Sequence, residues 1–299
     1  VIMASILTSY RKAALGALTS KLTSNGSLRA LSSDPEEISH PGASAEQLEA
    51  YRTLFGGEAF DGVHRSRLPS VLVHILGFPL QLQLMTRDDF PLQLMGLVHL
   101  SNQVEHRSPI AQDQPLRLRA HAENLRPHRK GTQVDIVTEV FEVQAPGAAD
   151  EAPLWRGVST YLSRGVFLAG KPGGSEGSRS GAGFTPPSKT AMWTLGADEG
   201  RRYAAVSGDY NPIHLSGLSA KALGMPKAIV HGMYTAARVL EGREPDAAGH
   251  SWSISFEAPV TLPGKVAVAV EKPDEKMQTF TGWNPKKGRR HFSGELHLP

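Results

Sequence analysis

Residues 229–242, IVHGMYTAARVLEG, read as an apolar helical stretch, and the segments after them decide the fold. Trp252, Ile254 and Phe256 fall on one face of the next segment, and Val266, Val268 and Val270 repeat the pattern. Period-two alternation marks strands that are buried on one side. An apolar helix followed by several long antiparallel strands predicts a sheet wrapped around a helix. Such a helix is apolar nearly all round because the sheet encloses it.

The same order of parts occurs earlier in the chain. LPSVLVHILGFPLQLQLMT (68–86) is again long and apolar, and Pro79 is expected to bend or end its helix. Leu116, Leu118, Ala120 and Ala122 then alternate, as do Val134, Ile136 and Thr138, and WRGVSTYLSRG (155–165) closes the set. His74 and His231 take corresponding places in the two helices. Between the halves lies GKPGGSEGSRSGAGFTPPSK (170–189), dense in Gly, Ser and Pro and reading as a linker. The chain is therefore divided into residues 1–169 (an N-terminal extension and a first unit), the linker 170–189, and a second unit at 190–299.

Bulk properties narrow the function. The 299 residues are 40% hydrophobic and 20% charged, as in a globular protein with a real core and room for two domains. Cysteine is absent, which excludes disulfides and thiolate nucleophiles and fits a reducing, cytoplasmic setting. A net charge of +3 favours an anionic ligand but is too weak to argue for nucleic acid. The basic residues Arg117, Arg119, Arg126 and Lys130 are scattered rather than massed. No stretch approaches the roughly eighteen apolar residues of a membrane span.

The start of the sequence, VIMASILTSYRKAALGALTSKL (1–22), has its apolar run before Arg11-Lys12, the wrong order for a secretory signal, and reads as a short amphipathic helix. Asn25-Gly26-Ser27 matches a glycosylation acceptor, a pattern without meaning unless the chain is secreted. Glycine-rich nucleotide loops and the H-E-x-x-H metal motif are missing, and Ser207-Gly208 lacks the preceding glycine of a nucleophile elbow. The twelve histidines are not expected to cluster. Neither a metal nor another cofactor is expected.

SGDYNPIH (207–214) sets Asp209 and His214 five residues apart with Asn211-Pro212 between them. The segment reads as a helix ending near Gly208, then a bent loop that directs two titratable groups into one space. Taken alone, Asp209 suits a turn that accepts backbone N–H groups, and His214 suits a hydrogen-bonded core position.

YAAVSGDYNPIH (203–214) with HGM (231–233) resembles the MaoC-like dehydratases, also called R-specific enoyl-CoA hydratases. FEAPVTLPGKVAVAV (256–270) looks like the rest of a hot-dog domain. GLVHLSNQVEHRSPI (96–110) resembles the degenerate first domain of the two-domain members, and the first half carries neither Ser-Gly-Asp nor Asn-Pro-X-His. The resemblance implies a tandem (double) hot-dog fold of the α+β class with one active site, in the second half. It also implies an acyl-CoA or acyl carrier protein thioester as substrate. A homodimer is optional, because the tandem supplies its own pseudo-dimer.

The chemistry accounts for these residue types. Hydrating a 2-enoyl thioester needs a base for water, an acid for the α-carbon, and donors for the enolate oxygen. Asp209 and His214 supply the first two through one shared water, with Ser207 and Asn211 supporting the loop. Gly232, at the start of a helix, offers a backbone N–H to the thioester oxygen; the other reading of this glycine is close packing against the sheet. His231 reads as a polar helix cap. Leu72, Phe78, Leu82 and Met85 read as core ahead of an acyl tunnel. A helix distorted at Gly77-Phe78-Pro79 would make room for medium or longer acyl chains. The rival functions are a hot-dog thioesterase and a non-catalytic acyl-binding subunit.

Overall fold

The computed structural model describes residues 31–32, 34–56, 66–143, 152–168, 184–245 and 249–299. The helix expected within 1–22, the acceptor pattern at Asn25 and linker residues 170–183 lie outside the described residues. Residues 184–189 are described and form neither helix nor strand.

In chain order the first elements are β1 (Glu36–His40), α1 (Ala45–Phe55), α2 (Ser70–Met85), β2 (Leu97–His106), β3 (Leu116–His128), β4 (Gly131–Glu142) and β5 (Trp155–Arg164). Then come β6 (Ala191–Leu195), α3 (Glu199–Ser207), α4 (Pro212–Leu215), α5 (Gly217–Ala222) and α6 (Gly232–Leu240). The chain closes with β7 (His250–Phe256), β8 (Gly264–Glu271), β9 (Met277–Trp283) and β10 (Arg290–His297). Two compact units result. The first comprises Val1–Pro41, Gly77–Asn102 and Pro115–Ser178, and the second comprises Gly42–Leu76, Gln103–Gln114 and Arg179–Pro299.

In the first unit the strand order is β1-β3-β4-β5-β2, with β2 belonging to it only as far as Asn102, and β1, β3, β4 and β5 pair antiparallel. Leu116, Leu118, Ala120 and Ala122 of β3 are buried in alternation, as their spacing predicts. Helix α2 lies on β4, where Gln81 Nε2 donates to Thr138 Oγ1 at 3.0 Å. The apolar residues of α2 from Val71 to Met85 are buried on every side of the helix.

Pro79 does not bend the helix to a stop. It sits inside α2, which continues to Met85. Burial all round the helix outweighs the roughly 3 kcal/mol that an interior proline costs. At Gly77 the helix packs closely on β4, since a Cβ there would stand 2.7 Å from Thr138 Cγ2. Leu72, Phe78, Leu82 and Met85 are all buried.

In the second unit the strands run β7-β10-β9-β8-β6, each pair antiparallel. Trp252 and Ile254 of β7 are buried as expected. Strand β8 departs from simple alternation, because Val266, Ala267, Val268 and Ala269 are all buried. Its second face is covered by a small cluster in which Ala267 and Ala269 pack with Trp283 and Phe184.

Helix α1 was not anticipated. Ser44 caps it by accepting the Gln47 N–H at 3.2 Å, and Gly56 ends it in the left-handed conformation. Its Phe55 ring packs against Tyr234 and Tyr203, with centroids 5.3 and 6.5 Å apart. Each half thus presents an antiparallel sheet with a helix against it, the α+β class expected. Among the described residues, no helix is long and apolar enough to cross a membrane.

Candidate active site

Helix α3 stops where the motif begins. Gly208 adopts φ 73°, open to glycine without strain, and its N–H closes on Ala204 O at 2.9 Å. A chain of short-range hydrogen bonds then shapes the turn. Ser207 Oγ accepts the Asp209 N–H at 3.2 Å, and Asp209 Oδ1 accepts the Asn211 N–H at 3.2 Å. Asn211 Oδ1 accepts the Ile213 N–H at 3.3 Å, which makes Asn211 the cap of α4. Pro212 fills the first helical position, where its missing N–H is no loss.

The expected bent loop is therefore a turn followed by one helical turn, and His214 sits on that helix. His214 is buried, not on an exposed loop. Two further ties hold it. A Cβ on Gly200 of α3 would collide with the His214 carbonyl oxygen, so glycine lets the two helices touch. Arg201 Nη1 donates to Leu215 O at 3.0 Å.

The imidazole of His214 is oriented through Nδ1, 2.8 Å from the Ile229 carbonyl oxygen. A carbonyl can only accept, so Nδ1 carries the hydrogen and neutral Nε2 presents a lone pair. Burial lowers the pKa of His214 below its ordinary value, against the opposing pull of Asp209 and the Ile229 carbonyl. At neutral pH it is a free base.

His231 does not cap α6: its side chain makes no capping hydrogen bond. The ring instead stacks on His214, with centroids 3.7 Å apart, and Nε2 donates to Asp209 O at 2.9 Å. Asp209 Oδ2 lies 3.7 Å from the same nitrogen. Tyr203 packs on the outer side of His231 at 4.8 Å. Burial pushes the His231 pKa down to about 3, with His214 adding to the effect and Asp209 opposing it. His231 thus backs the site as a neutral plate and hydrogen-bond donor. Its place in the HGM signature was visible in the sequence, but the direction of its side chain was not.

One donor atom from each of Asp209, His214 and His231 lies within 4.8 Å of the others. The sequence impression that the histidines do not cluster is corrected here, since residues far apart in the chain meet in space. Gly232 is the first residue of α6, a position whose N–H has no partner within the helix. It is also tightly packed, because a Cβ would stand 2.9 Å from the Phe256 ring. Ser207 and Asn211 hold the turn through the bonds they accept.

The depressed pKa of His231 links this site to stability. Its folded value near 3 lies below the ordinary 6.5, so the unfolded chain takes up the proton first as pH falls. The contribution is complete above pH 6.5 and is lost progressively toward pH 3, at about 1.4 kcal/mol per pH unit for one proton. His231→Gln removes that proton. Urea unfolding between pH 6 and 4.5 is expected to show a shallower fall in stability for the variant, by up to one proton. An unchanged slope would mean that His231 is already charged in the folded protein.

Comparison with known proteins identifies the family and the fold. The MaoC like domain family matches residues 183–289. The 3-hydroxyacyl-thioester dehydratase X of Mycobacterium tuberculosis is 35% identical over 240 residues, 77% of this chain and 79% of that protein. The crystal structure of HtdX from the same organism superposes with a TM-score of 0.71 at 30% identity, covering 89% of this chain and 100% of that one. The (R)-specific enoyl-CoA hydratase of Aeromonas caviae is 34% identical over 96 residues, 29% of this chain and 72% of that enzyme. The chain belongs to the MaoC-like dehydratase family.

Proposed function

We propose that the chain is a (3R)-hydroxyacyl-thioester dehydratase, equally able to run as an R-specific 2-enoyl-thioester hydratase. The observation that carries this reading is the meeting of Asp209, His214 and His231 within 4.8 Å beside the first turn of α6. A water between the Asp209 carboxylate and His214 Nε2 meets two acceptors. Each pins one O–H bond, and the oxygen lone pairs are left to face the β-carbon of the enoyl group. One acceptor takes a proton as the C–O bond forms and returns it to the α-carbon, so the pair ends as it began.

Charge that builds on the thioester oxygen meets the first turn of α6, whose Gly232 N–H and helix dipole favour a negative oxygen. Dehydration retraces the same path. The thioester substrate is carried by coenzyme A or by an acyl carrier protein, and either anionic carrier suits a chain of net charge +3.

Loss of enoyl absorbance from crotonyl, octenoyl and dodecenoyl thioesters tests the proposal, with chiral analysis of the product. Hydration to the (3R)-hydroxyacyl thioester is expected, without release of free thiol. Thiol release would make the chain a thioesterase, and binding without turnover would make it an acyl-binding subunit.

A further inference from the structure

A second cluster of titratable groups lies in the same unit and has no part in the hydration chemistry. His106 ends β2, His250 opens β7, and Glu244 stands on the segment between α6 and β7. One donor atom from each lies within 4.8 Å of the others. The two imidazoles face each other with centroids 4.8 Å apart, and they are only 5% and 8% exposed. Among the described residues, His250 Nε2 has no hydrogen-bond partner, and the ring nitrogens of His106 have none beyond a weak contact with the Ser108 backbone. Buried polar atoms are nearly always satisfied, so two facing imidazoles that each keep an unpaired nitrogen call for a ligand.

The third group is arranged to join them. Both Glu244 oxygens accept the Ser70 N–H, at 3.1 and 2.9 Å, at the N-terminus of α2. A carboxylate has about four lone-pair sites, so this bond leaves acceptor capacity free. Burial keeps His106 and His250 neutral, with pKa values lowered to about 3 and about 4. Their lone pairs are therefore available at neutral pH, whereas burial raises the Glu244 carboxyl to about 8, so an ion bound there displaces one proton from it.

We propose that His106, Glu244 and His250 hold a divalent transition-metal ion, with zinc the best match, at a site distinct from the Asp209–His214 pair. Two imidazoles and a carboxylate are a common zinc donor set, which leaves one position of the tetrahedron open. With bonds near 2.0–2.1 Å, ligand atoms stand about 3.3 Å apart, so side-chain rotations close the remaining distance. The ion fastens the end of β2 to the start of β7 and, through Glu244 and the Ser70 N–H, to the start of α2.

The test uses the full chain, stripped with chelator and titrated with zinc by calorimetry at neutral pH. The wild type is expected to bind one equivalent at micromolar affinity or tighter, with a rise in Tm. Asp209→Asn should bind equally well. His250→Asn and Glu244→Gln should each weaken binding by more than the roughly 10- to 100-fold that loss of a supporting partner costs. Cobalt(II) added to the wild type reports independently of whether the variants fold, and should give the visible bands of a tetrahedral nitrogen and oxygen site that zinc abolishes. Two results would overturn the proposal. One is wild type without zinc binding tighter than millimolar and without cobalt bands. The other is affinity lost in Asp209→Asn but kept in His250→Asn.

Discussion

Asp209→Asn and His214→Gln are each expected to lower kcat on an enoyl thioester by about 10²- to 10⁴-fold, the range of general acid–base groups, with KM much less affected. Asn keeps the shape of Asp but cannot take the proton. Gln keeps a polar group but does not titrate. The structure adds a condition for the second variant: His214 is buried and bonded to Ile229 O, so circular dichroism and Tm must first show that His214→Gln is folded. A folded variant of either kind with near wild-type kcat would mean that the motif is structural here.

A residue that touches no substrate is expected to produce the next largest effect. Gly200→Ala places a methyl group against the His214 carbonyl oxygen, and α3 and α4 must move apart to admit it. Overpacking of this kind costs about 1–3 kcal/mol of stability. Displacing a catalytic group by an ångström can cost about 10²-fold in rate. We therefore expect Gly200→Ala to fold with a lower Tm and to lose about 10²-fold in kcat. Gly217→Ala is the control, because no atom lies within 4 Å of the Cβ it would gain. If the two variants behave alike, the contact between α3 and His214 does not position the imidazole.

Sequence pattern revealed those parts of the fold whose signals are local. Gly208 had to end a helix because the motif behind it could not continue one, and it does. The alternation in β3 and at Trp252 and Ile254 marked strands with one buried face, and those residues are buried. What stayed hidden depends on partners distant in the chain. Ala267 and Ala269, on the alternate face of β8, are covered by Phe184 and Trp283. Pro79 reads as a bend or an end of its helix because its local cost is plain, whereas the burial that outweighs it comes from residues packed around α2 from distant parts of the chain.

The candidate site divides in the same way. The spacing of Ser207, Asp209, Asn211 and His214 was readable because a turn and a single helical turn bring them together. A histidine before a helix reads as a cap and carries no sign of where its ring points; here the ring of His231 turns back onto His214. Gly200 left a faint signal, a poor helix former inside a helix just ahead of the motif. Tyr51 and Phe55 left none, although α1 brings Phe55 against Tyr203 and Tyr234 behind His231.

If Asp209 and His214 act as one unit on one water, the kcat of the double variant Asp209→Asn/His214→Gln relative to the poorer single variant will show it. Groups that act together lose their whole effect when either is removed, so the double variant should be scarcely slower than the poorer single. Losses that multiply in the double variant would contradict the account and assign the two residues to separate steps.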